Sequence, residues 1–239
     1  MAGTTGRPKV ALYARIGDRA DADAVFADAN DAASRLVAGL DSSVDARLAR
    51  RIVDMPELEH HRIMAPPGSP PPFDLVWQLV ADDGEISTAM TDAVVGMAKA
   101  LAGRIVDGEV FAGREVAITA GDGPILVVMP LRRLASLDRS GFMQMWFGGH
   151  AQLGEEVAGV RYRQNHIDVT AATELGERVG SVAEPLDGLA ESYFDTLDDA
   201  VAIMSQTSVT VDAIVDERRF IDHSRSRFAL YETEWRRPA

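Results

Sequence analysis

The chain of 239 residues carries 37 acidic against 24 basic side chains, a formal net charge of −13, and no cysteine. Such acidity repels phosphate backbones and argues against a nucleic-acid partner. The missing thiols exclude disulfides, thiolate catalysis and Cys-ligated zinc or iron–sulfur centres. Hydrophobic residues make up 46%, enough for a packed core. The opening MAGTTGRPK lacks the apolar stretch of a signal peptide, and no apolar run nears the roughly 18 residues of a membrane helix. A cytoplasmic globule with no membrane partner is expected.

In chain order, residues 9–15 (KVALYAR) predict a strand. Residues 19–40 predict a helix, because Val25, Phe26, Ala29, Ala33, Leu36 and Val37 recur at helical spacing. Residues 44–54 form a weak strand signal, and APPGSPPP at 65–72 reads as loop. FDLVWQLV at 73–80 predicts a strand buried on both faces. Asp82 or Asp83 then caps a helix over 84–102, followed by a strand at 111–120 and a turn at GDGP, 121–124. The pattern restarts with PILVVMPL at 124–131 as a strand, an amphipathic helix over 139–155, and a strand over 157–169. A polar connection at 171–185 leads to strand 188–196, one or two helices within 197–219, and a last strand over 227–235.

Each half reads as βαββαβ, the ferredoxin-like order. A shift of 116 residues carries Trp77 onto Tyr193, Phe26 onto Phe142 and Lys9 onto Ile125. The expected fold is α+β: two ferredoxin-like βαββαβ repeats in one chain forming a pseudo-dimeric α+β barrel, with repeats at 1–121 and 122–239. The sheets bury their apolar faces against each other and carry helices outside.

The second half holds the chemistry. Phe142, Trp146, His150 and Leu153 are spaced 4, 4 and 3 residues apart and form one helical stripe. A histidine on an apolar stripe is either a core residue bonded to a carbonyl or a general acid/base at a pocket rim. The 116-residue shift sets Ser34 opposite His150, which places a single site in the C-terminal half. In YRQNH, 162–166, strand alternation puts Tyr162, Gln164 and His166 on one face and Arg161, Arg163 and Asn165 on the other. Tyr162 and His166 then lie about 13 Å apart, too far to touch but able to line one cavity. DERRFIDHSRSR at 216–227 reads first as a solvated, salt-bridged helix end, with a source of cations as the sharper alternative. Glu59-His60-His61 lacks the spacing of a metal motif, and GDG at 121–123 lacks a dinucleotide fingerprint. No metal is expected.

The strand ILVVMPL, the stripe in FMQMWFGGHAQL, the strand GVRYRQNHI, GLAESYFDTLDDAVAIM and DERRFIDHSRSRF together resemble the EthD family of dimeric α+β barrels over residues 124–236. The last two look like the family's third strand and closing aspartate-rich helix segment. The resemblance implies a pocket between sheet and helices. It also implies a relationship to cofactor-free cyclases, decarboxylases and isomerases of aromatic or polyketide-like compounds. Related barrels include quinol-type monooxygenases and haem binders. By position, His150 is the family's helix histidine and His166 its strand histidine. The frequent H-W-x-x-x-H pattern is broken here by Met145 before Trp146, so a mechanism needing both helix histidines is in doubt.

These features favour a cofactor-independent lyase, cyclase, decarboxylase or isomerase acting on a hydrophobic small molecule. His150 and His166 are the candidate catalytic residues, and Trp146, Phe142, Tyr162, Asn165 and Tyr193 the candidate substrate-binding residues. No cofactor is expected. A binding protein without chemistry and a haem or monooxygenase barrel are the alternatives, and the chain is expected as a monomeric pseudo-dimer or a homodimer.

Overall fold

The structure, a computed structural model, describes residues 6–53, 70–181 and 183–237. Its first half contains β1 (Arg7–Ile16), α1 (Ala22–Leu36), β2 (Val44–Arg51), β3 (Leu75–Ala81), α2 (Thr88–Ala100) and β4 (Ile105–Ala117). Its second half contains β5 (Ile125–Leu131), α3 (Arg139–Met145), α4 (Ala151–Glu156), β6 (Arg161–Ile167), α5 (Val169–Val179), β7 (Gly188–Phe194), α6 (Leu197–Met204), α7 (Ile214–Glu217) and β8 (Ala229–Arg236). The strands close a barrel in the order β1-β3-β2-β8-β5-β7-β6-β4. Each half contributes four neighbouring strands in ferredoxin-like order. The halves join through antiparallel ladders, β2 with β8 and β4 with β6. The sheets therefore meet at their edges as well as across the core, so no strand is left with an unpaired edge for another chain to extend.

Strand alternation sorts the side chains into two cores. Ala11, Tyr13, Val76, Phe111, Leu126, Val128, Leu189 and Tyr193 point into the barrel. Val10, Leu12, Trp77 and Leu79 point outward against Phe26 of α1 and Met90 and Val94 of α2. Every residue of β3 and β5 is buried, as their unbroken apolar runs require. On the second half, the outer face of β5 and β7 packs Phe142 and Trp146 on one side and Ala200 and Met204 on the other.

Four local expectations shift. α2 starts at Thr88 because the hydroxyl of Ser87, not Asp82 or Asp83, accepts the Met90 N–H. β4 begins at Ile105, where pairing with β1 overrides a polar start. The polar connection over 171–185 contains helix α5, capped by Asp168 and ended by Gly180 in the left-handed conformation at φ 75°. Its small apolar face, Ala172 and Leu175, packs on the first half's outer core, so α5 braces one half against the other. Finally, Trp77 faces the helices while Tyr193 faces the barrel interior. The two halves repeat as a fold, but a 116-residue shift is wrong by one strand position and inverts the faces.

Glu59-His60-His61 and most of the 65–72 loop lie outside the described residues. Among the described residues, no cluster of three His, Cys, Asp or Glu side chains is placed to hold a metal ion. No helix among them is long and apolar enough to cross a membrane.

Candidate functional site

A cavity of about 110 Å³ lies between the outer face of β5–β7 and the helices of the second half. The sheet floor is Val127, Met129, Tyr162, Ala190 and Ser192. His150, Leu153 and Gly154 form one wall, and Ile203, Met204, Val209, Ile214 and Glu217 the facing wall. Both walls contain a π-helical turn, residues 146–150 and 208–213. The first joins α3 to α4, so the Ala151 N–H reaches the Trp146 carbonyl. Such widened turns occur often at functional sites, and this one sets the stripe residue His150 at the cavity wall.

His150 is 8% exposed and its ring packs edge-on against Phe220. Its Nδ1 is 3.0 Å from Oδ2 of Asp216. The other Asp216 oxygen accepts from Arg219 at 2.6 Å. A carboxylate only accepts hydrogen bonds, so the His150 proton sits on Nδ1 and Nε2 keeps its lone pair. Nε2 lies 3.6 Å from Oε1 of Glu217, within ion-pair range but beyond a hydrogen bond. The arrangement can take a proton at Nε2 and hold the resulting imidazolium between two carboxylates.

Tyr162 is the second polar group of the cavity. Its hydroxyl oxygen accepts from Trp146 Nε1 at 3.3 Å and from Gln164 Nε2 at 3.2 Å. Among the described residues its own O–H meets no acceptor, so that proton is available to a ligand oxygen. Burial pushes the phenol well above its ordinary pKa, and it stays protonated near neutrality. Two glycines make room for these rings. A Cβ on Gly154 would lie 2.4 Å from Tyr162 Cδ1, and one on Gly188 would lie 2.4 Å from Trp146 Cζ3.

The structure brings His150 and Tyr162 to the cavity and distributes the other sequence candidates around it. Phe142 and Trp146 lie behind the lining, their rings 5.3 Å apart. They hold Tyr162 and the helix rather than facing the cavity. His166 shares a face with Tyr162, but its ring is enclosed by Trp146 at 5.7 Å and Phe147 at 4.7 Å. Its Nε2 has no partner among the described residues, and burial lowers its pKa to about 4. It is a neutral packing histidine at neutral pH, outside the cavity lining.

Asn165 and Tyr193 point through the sheet into the barrel. Asn165 donates to the Leu189 carbonyl at 2.9 Å. Tyr193 donates to Glu191 at 2.9 Å and accepts from Gln78 at 3.2 Å, while the Arg163 guanidinium lies over its ring at 4.1 Å. Lys9, fully buried, bridges Glu191 at 2.5 Å and Glu115 at 3.4 Å. Burial alone would raise Glu115, but Lys9, Arg163 and Arg7 outweigh it and hold the carboxyl at about 2. This interior network accounts for the inward cation of YRQNH, Arg163, and stands apart from the cavity.

Sequence reasoning missed Asp216, Glu217 and His223, all within the segment assigned to a solvated helix end. Arg218 and Arg219 are indeed exposed. The available signal was the spacing of the apolar residues Phe220 and Ile221, which are buried with Glu217 and follow it by three and four residues in the turn after α7.

Haem ligation, raised by the family resemblance, does not fit these residues. An iron ligand needs one imidazole nitrogen open to the pocket. The apolar space beside His150 is about 110 Å³, too small for a macrocycle. His166 is enclosed by two aromatic rings.

Comparisons with known proteins agree with this fold. Residues 134–224 match the EthD domain, and no curated protein matches the sequence. Among solved structures, an anthrone oxidase-like protein superposes over 99% of this chain and 94% of its own, at 10% identity and a TM-score of 0.51. A dye-decolorizing peroxidase from Bacteroides thetaiotaomicron does so over 97% and 94%, at 10% identity and 0.53. A chlorite dismutase variant from Candidatus Nitrospira defluvii does so over 97% and 92%, at 11% identity and 0.51. At such identities the likeness establishes the fold, and it spans both halves. Residues 134–224, which carry His150, Tyr162, Asp216 and Glu217, thus match the EthD domain and lie within a single-chain α+β barrel of two ferredoxin-like halves.

Proposed function

We propose that the protein is a cofactor-independent enzyme that moves a proton on a small hydrophobic molecule, with His150 Nε2 as the acid/base. The observation that carries this reading is the Asp216–His150 contact of 3.0 Å at the wall of an apolar cavity. It fixes one tautomer and leaves the Nε2 lone pair at the cavity wall, beside Glu217. Tyr162 supplies a hydrogen bond to a ligand oxygen, which stabilises a developing enolate or phenolate. The described cavity lining holds no Lys or Arg and one carboxylate, Glu217, which favours an uncharged substrate over a free acid. The apolar lining and the anthrone oxidase-like neighbour are compatible with an aromatic or polyketide-like compound. The reaction belongs to the lyase, cyclase or isomerase group, with decarboxylation less favoured by the charge of the lining. Repeats meeting near residue 121 make the chain a pseudo-dimer that needs no second copy to close its barrel, and the absence of thiols suits the cytoplasm.

The test is thermal stabilisation and turnover across a library of phenols and enolisable aromatic ketones, with wild type and His150→Gln side by side. A ligand of the folded state must raise Tm by mass action. Wild type should bind and convert a hit, and His150→Gln should bind it without converting it. Equal binding with no conversion by either protein would replace the enzyme with a binding protein.

A further inference from the structure

One carboxylate of the site serves two imidazoles. Glu217 Oε1 faces His150 Nε2 at 3.6 Å, and Glu217 Oε2 lies 2.8 Å from His223 Nε2. The Glu217 side chain is 6% exposed and that of His223 10%. His223 lies in the turn that follows α7, away from the cavity lining. By the same reasoning as for His150, the carboxylate accepts, so the proton of a neutral His223 sits on Nε2. The His223 side chain keeps contact with solvent on the side away from the cavity.

We infer that His223 is a positioning residue that sets the proton affinity of His150 through Glu217. The inference rests on the acid/base reading of His150 and extends that site to a residue outside the cavity. Neutral His223 holds the Glu217 carboxylate turned toward His150 and leaves its full negative charge to stabilise the His150 imidazolium. Protonated His223 puts a positive charge 2.8 Å from the same carboxylate. Glu217 then answers a cation on its far side, and His150 binds its own proton less tightly. Two sites that compete for one counter-charge titrate as a coupled pair.

The other charges around the pair do not carry this coupling. Asp216 holds His150 Nδ1 and is paired with Arg219. Tyr162, on the strand beneath, is near enough for Glu217 to raise its pKa further, after burial, and so stays neutral. Arg133, on the loop that pairs with Ile221, is tied to Asp187. Phe220 offers His150 only a ring edge.

The experiment is a pH titration of the imidazole NMR signals of His150 and His223 in the whole chain. In wild type the His150 curve should be broadened. In His223→Gln, which keeps an N–H donor for Glu217 but takes no charge, it should sharpen to one step and move up by about 0.5 pH unit or more. By linkage, the His223 signal must shift equally in His150→Gln, which provides the same reading should His223→Gln not fold. Glu217→Gln should abolish both effects. Superimposable His150 curves in wild type and His223→Gln, or a His223 curve indifferent to His150→Gln, would overturn the inference. The measurement needs no substrate, so a failure of coupling is distinct from a failure to find turnover.

Discussion

Nδ1 of His150 and Oδ2 of Asp216 stand 3.0 Å apart although 66 positions separate them in the chain. That contact decides which ring nitrogen faces the cavity. Asp216→Asn lets the side-chain amide donate as well as accept, which admits the wrong tautomer. Turnover should fall by about 10²–10⁴-fold, the range of positioned acid/base catalysis. Ligand binding, followed by thermal shift, should change little. A parallel loss of binding and turnover would mean that Asp216 shapes the cavity rather than the imidazole.

The Trp146 ring lies directly over Gly188. A methyl group at Gly188 would approach Cζ3 to 2.4 Å and Cη2 to 2.7 Å, and Trp146 is 1% exposed. Gly188→Ala should cost about 1–3 kcal/mol in denaturant unfolding, the usual penalty for overpacking. It should also disturb Tyr162, whose hydroxyl accepts from Trp146. Restored stability in Gly188→Ala combined with Trp146→Leu would confirm that the clash is the cause.

Inside the barrel, Lys9 is the cation between Glu191 and Glu115. Lys9→Met leaves Glu191 buried without its ion-pair partner, and the loss should be about 3–5 kcal/mol. Lys9→Met with Glu191→Leu removes both charges and should recover most of that loss. Chemical denaturation of the single and double variants measures both. No recovery would place the cost in packing instead of charge.

His166 makes the fold sensitive to mild acid. Burial holds its folded pKa at about 4, below the 6.5 of the unfolded chain. The unfolded state therefore binds the proton first, so stability is full above pH 6.5 and declines as pH falls toward 4. Each unit of separation is worth about 1.4 kcal/mol, which sets the loss at roughly 2–3 kcal/mol after solvent screening. His166→Phe should remove the decline across that window in a series of unfolding curves. Glu115 acts lower, between 4.5 and about 2, in the same direction.

Much of the fold was legible in the chain because the strands are short apolar runs bounded by turn residues. KVALYAR, FDLVWQLV and PILVVMPL each became a strand within a few residues of the expected ends. α5 was missed although Ala172, Leu175, Gly176 and Val179 recur at helical spacing, because its Glu and Gly content reads as a polar connection. The residue-level repeat failed for a different reason. A strand alternates every residue, so a shift in error by one exchanges inside and outside, as Trp77 and Tyr193 show.

For the site, local spacing alone determined that Phe142, Trp146 and His150 share a helix face and that Tyr162, Gln164 and His166 share a strand face. These are consequences of the 3.6- and 2-residue periods. Only the closed barrel and the packing of α7 against the π turn at 146–150 decided what those faces meet. They enclosed His166 between two rings, turned Tyr193 and Asn165 into the barrel, and carried Asp216 and Glu217 to the two nitrogens of His150. Proton affinity and tautomer depend on neighbours within a few ångströms in space, and separation along the chain carries no record of them.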